Sequence, residues 1–223
     1  MASSLVSYQI THDNIALLRL LGTGKHLLSL ALINDFNKAV RRAVDDNVVG
    51  LITVHSGNSF SGGLDYNSAP EAVLVGAFAS LIASLIKLPF PTVAKVTGQA
   101  YGAGFTLALA HDYLVLSTDS TVSLCQNELT EGHEVPSFAA ALLFGKFPPS
   151  AAWELAVSTV PVAPPNYSPI SDYVGKYVGW SIDDVATKLL EPAAGRVGTA
   201  YSAVRKSLLA EVWALVKPTV TQA

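Results

Sequence analysis

The chain has 223 residues, with 14 Lys+Arg against 17 Asp+Glu and a net charge of −3. With no basic stripe to meet a polyanion, nucleic-acid binding is a poor reading. Half of the residues are hydrophobic and 14% are charged, against about 25% charged in an average soluble domain, so the chain either enters a membrane or buries surface against copies of itself. The most apolar stretches, residues 72–86 and 96–110, are each 15 residues long, and a spanning helix needs about 20. Self-association is therefore the expectation. The single cysteine, Cys125, excludes an internal disulfide. The first residues lack a basic segment followed by an apolar one, and Thr221-Gln222-Ala223 is not an address of the Ser-Lys-Leu type. The expected location is cytoplasmic or peroxisomal.

In chain order, residues 15–20 read as a strand. Residues 29–44 place Leu32, Ile33, Phe36, Ala39, Val40 and Ala43 at helical spacing, with Asp35, Lys38, Arg41 and Arg42 mainly between them, which predicts an amphipathic helix. Residues 48–55 form an almost unbroken apolar run, the pattern of a strand buried on both faces of a parallel sheet. A loop follows over 56–65. A helix is predicted over 71–88, stopped by Pro89 and Pro91. Strands are expected at 92–97, 113–117 and 122–125, with a glycine-rich turn at 98–104 and a short helix at 105–110. The second half reads as helices at 137–144, 151–157, 183–190 and 199–216. Pro161, Pro164, Pro165 and Pro169 make 160–171 irregular. Strand–helix alternation followed by helices gives the α/β class.

Three segments carry chemistry. Phe60-Ser61-Gly62-Gly63-Leu64-Asp65 follows a buried strand. Gly98-Gln99-Ala100-Tyr101-Gly102-Ala103-Gly104 joins a strand to a helix. Cys125-Gln126-Asn127-Glu128-Leu129 precedes Val135-Pro136. Glycines at strand ends let backbone N–H groups face a ligand, and two such loops side by side can aim two donors at one oxygen. The same glycines also fit tight turns or close packing. Neither dinucleotide nor P-loop spacing is present. His12, His26, His55, His111 and His133 show no zinc-ligand spacing, and no metal is expected.

These three segments, in this order, resemble the crotonase (enoyl-CoA hydratase/isomerase) superfamily, in particular its plant and fungal type of 3-enoyl-CoA to 2-enoyl-CoA isomerase. The resemblance runs from about Gln9 to Val216. It implies one structural domain: a spiral of β-β-α units over 1–150 holding the acyl-CoA site, and a helical C-terminal region over 151–223 for pocket closure and assembly as a homotrimer or hexamer. It places the two oxyanion-hole N–H donors at Leu64 and Ala103 and the proton-shuttling glutamate at Glu128. Lys25, His26, Ser61, Gly62, Gly63, Gly102, Gly104 and Asn127 become substrate-binding positions. A coenzyme A thioester is the implied substrate, with no other cofactor. Hydratases of the superfamily carry a second glutamate three residues beyond the second donor, and that position is Thr106, which favours isomerisation. Asp65 and His111-Asp112 read as structural, and Cys125 as a small buried residue. Glu131, His133 and Glu134 read as a charged turn, with His133 alternatively tuning Glu128. Arg205-Lys206 is a candidate for phosphates of a neighbouring subunit's ligand. Tyr201, Val204, Leu208, Val212 and Leu215 form one helical face, for the core or a subunit interface.

Overall fold

The computed structural model describes residues 4–119, 121–163, 177–191 and 198–218. Its elements are β1 (Val6–Ile10), β2 (Ile15–Leu20), α1 (Leu30–Asp45), β3 (Gly50–His55), β4 (Ser59–Ser61), α2 (Glu71–Lys87), β5 (Thr92–Val96), β6 (Gln99–Tyr101), α3 (Ala103–Leu109), β7 (Tyr113–Leu116) and β8 (Ser123–Cys125). Helices α4 (Ser137–Lys146), α5 (Pro149–Val157), α6 (Ile182–Val185), α7 (Thr199–Leu208) and α8 (Ala210–Val216) complete them, with a π-helical turn at Ala186–Leu190.

Strand β3 shows why the sheet forms. All six of its residues are buried, and alternate side chains enter different clusters. Leu51 joins the main core, whereas Ile52 and Val54 pack with Ile15, Val93, Val115, Val185 and Leu190 on the other face. A strand covered on both sides reads as a continuous apolar run. The larger sheet has the order β1-β2-β3-β5-β7, antiparallel only between β1 and β2. The smaller, parallel sheet is β4-β6-β8. Units β3-β4-α2, β5-β6-α3 and β7-β8-α4 each lay one strand in the larger sheet and one in the smaller before a helix. This is the α/β spiral of β-β-α units. Successive turns nearly touch: a Cβ on Gly98 would lie 2.2 Å from the Asn58 carbonyl oxygen.

Helix α1 follows the predicted stripe. Its six buried residues are the six of that stripe, with Leu30, Ala31 and Val44 left outside it, and Ser29 caps it by accepting the Leu32 N–H at 3.2 Å. Several boundaries differ from expectation. β1, β4 and β6 were not foreseen, and β4 and β6 lie inside segments read as loops. α3 starts at Ala103, two residues early. The run 183–190 becomes a single helical turn plus the π-helical one. The helix expected over 199–216 breaks at Leu209, where φ −110° and ψ 39° leave the helical region. The break turns Leu209, Val212 and Val216 inward, while Val204, Leu208 and Leu215 remain 58%, 76% and 49% exposed. The face expected at those steps is thus divided between core and surface. Most of the proline-rich 160–171 lies outside the described residues.

Arg205 is not a surface phosphate ligand. It is 4% exposed, pairs with Asp112 through Nε and Nη2 at 2.7 and 2.5 Å, and donates to the carbonyls of Leu85, Leu88 and Phe90. Burial alone would raise the pKa of Asp112, but the Arg205 guanidinium holds it below the usual carboxylate value. His111 is structural too. Its ring bonds Thr53 at 2.8 Å and the Leu107 carbonyl at 2.9 Å, and burial pushes it down to about 4. No described helix is long and apolar enough to cross a membrane.

Candidate active site

The two glycine-rich loops meet because β4 and β6 are neighbours in the smaller sheet. A Cβ on Gly104 would lie 2.4 Å from the Ser61 carbonyl oxygen, so the first turn of α3 packs directly on the end of β4. One step on, Gly63 (φ +104°) faces the second loop: its Cβ would stand 3.5 Å from the Tyr101 carbonyl oxygen and 3.8 Å from the Ala103 nitrogen. Leu28 pairs across Leu64 through the Gly63 carbonyl and the Asp65 N–H. In a parallel bridge that leaves the Leu64 N–H on the opposite side. Ala103 opens α3, where N–H groups have no intrahelical partner. Among the described residues, neither N–H donates to a protein acceptor.

Glu128 arrives from the third strand. β6 pairs with β8 up to Tyr101 beside Cys125, and the Gly102 N–H donates to the Cys125 carbonyl at 2.7 Å. The Glu128 carbonyl accepts from Glu131 and His133 N–H groups at 3.1 and 2.8 Å, closing the turn. The side chain lies over Gly102, whose Cβ would fall 3.1 Å from Oε1 and 2.9 Å from Asn127 Oδ1. With φ at +52° as well, position 102 requires glycine. Glu128 is 7% exposed. Burial pushes its carboxyl up to about 7, against smaller lowering effects from its own backbone N–H and from His133.

Together these groups line a cavity of about 500 Å³. Two further carboxylates reach it, and both are in solvent contact: Asp65 accepts the Asn67 N–H at 3.2 Å, and Glu131 accepts from Asn127 at 3.4 Å. A buried base with raised basicity beside two free N–H donors can remove a proton next to a carbonyl and stabilise the enolate oxygen.

Residues 12–166 match the enoyl-CoA hydratase/isomerase family. The chain belongs to that family. It is 32% identical over 212 residues to the peroxisomal enoyl-CoA delta isomerase 1 of Arabidopsis thaliana, covering 90% of this chain and 88% of the relative. It is 34% identical over 114 residues to the mitochondrial methylglutaconyl-CoA hydratase of Mus musculus, covering 48% of this chain and 36% of that one. An apo enoyl-CoA isomerase of Mycobacterium tuberculosis superposes with TM-score 0.80 at 22% identity, covering 97% and 96% of the two chains. An enoyl-CoA hydratase of Mycobacterium marinum superposes with TM-score 0.80 at 23% identity, covering 96% and 95%.

Within this family member, Lys25, Gly62, Gly63, Leu64, Gly102, Ala103, Asn127 and Glu128 line the cavity, and His26, Ser61 and Gly104 do not. These three stand behind it. His26 Nδ1 is 2.6 Å from the Ser59 carbonyl oxygen; Ser61 Oγ donates to the His26 carbonyl at 2.8 Å and accepts the Gly63 N–H at 3.3 Å. Cys125 is buried and its thiol pushed up to about 11, first by burial and then by Glu128. Two features had no signal in the sequence. The His133 ring stacks on Tyr66, centroids 3.6 Å apart, with Nδ1 3.5 Å from Glu71 Oε1. Gln126 lies directly behind Glu128. Among the described residues, no cluster of three His, Cys, Asp or Glu side chains could hold a metal.

Proposed function

We propose that this chain is an enoyl-CoA isomerase that moves a double bond from C3–C4 to C2–C3. The observation that carries the reading is a lone buried carboxylate, Glu128, beside the free N–H groups of Leu64 and Ala103. The thioester oxygen accepts from both N–H groups. Glu128 takes a C2 proton, the electrons move through C3 to give a dienolate with its charge on that oxygen, and Glu128 returns the proton at C4. Each oxyanion donor contributes about 2.7–4 kcal/mol to such a step. A carboxyl near pH 7 holds and releases a proton with comparable ease. Thr106, buried and bonded to Gln126, presents no second acid.

Lys25 on the cavity rim meets the phosphates of coenzyme A. Exposed Trp153, Val204 and Leu208 carry self-association as a homotrimer or hexamer. Replacing Glu128 by Ala is the test. The rate on 3-enoyl-CoA should fall by about 10²–10⁴-fold while affinity for an acyl-CoA is kept; retained activity overturns the reading. A second reading, hydration, is favoured by Glu131, which reaches the same cavity from the turn after Glu128.

A further inference from the structure

The two oxygens of the Glu128 carboxylate have different surroundings. Oε1 lies over Gly102, at the edge of the loop that carries the Ala103 N–H. Oε2 faces Gln126, which is 1% exposed. With the Gln126 amide nitrogen turned to the acceptors around it, Nε2 donates to Glu128 Oε2 at 3.0 Å and to the Gly102 carbonyl at 3.1 Å. Its Oε1 then accepts the Thr106 hydroxyl at 3.1 Å. The opposite orientation sets the amide oxygen against two oxygens, an arrangement a buried amide does not keep. Thr106, Gln126 and Glu128 thus form a chain of three directed hydrogen bonds that also ties the carboxylate to Gly102.

We propose that Gln126 is the positioning residue for Glu128: it occupies Oε2, so that the proton is taken up and delivered by Oε1 alone, and Thr106 fixes the amide in that orientation. The inference rests on Glu128 as the proton shuttle. An amide N–H₂ donates but does not accept, so a protonated Glu128 carries its hydrogen on Oε1, the oxygen beside Gly102. One oxygen then serves both proton transfers without rotation of the carboxyl. The shared bond to the Gly102 carbonyl makes the base and the Ala103 donor move as one unit. Because Gln126 stabilises the ionised form, it also opposes the upward push of burial on Glu128. The other titratable groups facing Glu128 across the cavity or beside it are Cys125, Glu131 and His133 on its own strand and turn, Asp65 and Tyr66 from the loop after β4, Lys25 from the loop before α1 and Tyr101 from β6. None of these was found bonded to Oε2 among the described residues.

The test uses the full chain with Gln126→Leu and Thr106→Val, and Thr106→Ser as the conservative control. In Gln126→Leu, kcat on 3-enoyl-CoA is expected to fall about 10²-fold with KM nearly unchanged. The acid limb of its pH–rate profile moves to higher pH by about one unit. Thr106→Val shifts the limb in the same direction by less, and Thr106→Ser restores the wild-type profile. A variant that merely lost folded protein would lower the rate without moving the limb. In parallel, the Glu128 carboxyl is titrated by infrared difference, with Glu128→Gln identifying its band. The Gln126→Leu midpoint rises in this titration whether or not the protein turns over. An unmoved midpoint in Gln126→Leu, or Thr106→Ser behaving like Thr106→Val, overturns the positioning role. A wild-type chain that titrates as described but does not isomerise 3-enoyl-CoA overturns the proposed function instead.

Discussion

Replacing Glu128 by Gln trades catalysis for stability, and the size of the gain depends on pH. Glu128 is 7% exposed and its carboxyl is raised from 4.5 to about 7, with burial as the main cause. A carboxyl raised in the folded state contributes most below its unfolded value. That contribution is lost as pH climbs to the folded value and stays constant above it. For these two values, the loss between pH 5 and pH 8 is about 2.5 kcal/mol, at 1.36 kcal/mol per unit. Glutamine keeps the shape and an oxygen for the Gln126 amide but cannot ionise. The stability of Glu128→Gln relative to wild type should therefore grow by about 2.5 kcal/mol from pH 5 to pH 8. In a chain of this size that is a rise in the Tm difference of about 5–10 °C. Urea denaturation of both proteins at the two pH values measures it. A difference that stays the same at both pH values would refute the claim that a buried, reluctantly ionised carboxyl sits at this position.

Three other outcomes follow from the same geometry. The proposed proton shuttle needs Glu128 ionised, so kcat/KM should rise with pH and level off above about 7; a rate constant already flat at pH 5 contradicts the assignment. Gly102→Ala must place a methyl 2.9 Å from Asn127 Oδ1 and 3.1 Å from Glu128 Oε1 at φ +52°, so kcat should drop about 10²-fold with a stability loss of about 1–3 kcal/mol, seen in steady-state kinetics and thermal melts. Arg205→Leu removes the bidentate ion-pair partner of buried Asp112, leaving it the Thr92 and Tyr201 hydrogen bonds, and uncaps the end of α2; denaturation should show a loss of about 3–5 kcal/mol, and a loss under about 1 kcal/mol would mean that the pair is not buried as described.

The parts of the fold written in periodic side chains were legible in the sequence. The six-residue stripe of α1 and the unbroken apolar run of β3 announce their burial directly. β4 and β6 have three residues each and sit among serines and glycines, too short for a period of two to register. The break at Leu209 is a backbone event in a sequence whose helical spacing continues across it. Arg205 looked like a surface cation because its partner Asp112 is 93 positions away in the chain. At the site, the two glycine-rich loops stood out as strand-end turns that can present backbone donors, whereas Glu128 was singled out by the resemblance of its segment to the crotonase superfamily. Gln126 was not visible, since a buried glutamine is marked only by the partners that the fold brings to it: Thr106 from α3 and Gly102 from the second loop.

The proposed isomerisation needs one buried carboxylate acting alone on a polarised thioester. Product analysis tests this most directly: the purified chain is incubated with 3-enoyl-CoA, and separately with 2-enoyl-CoA, and the acyl products are identified by mass. The expected result is 2-enoyl-CoA from the first substrate, abolished in Glu128→Gln, and no water added to the second. Efficient formation of 3-hydroxyacyl-CoA from 2-enoyl-CoA would contradict it.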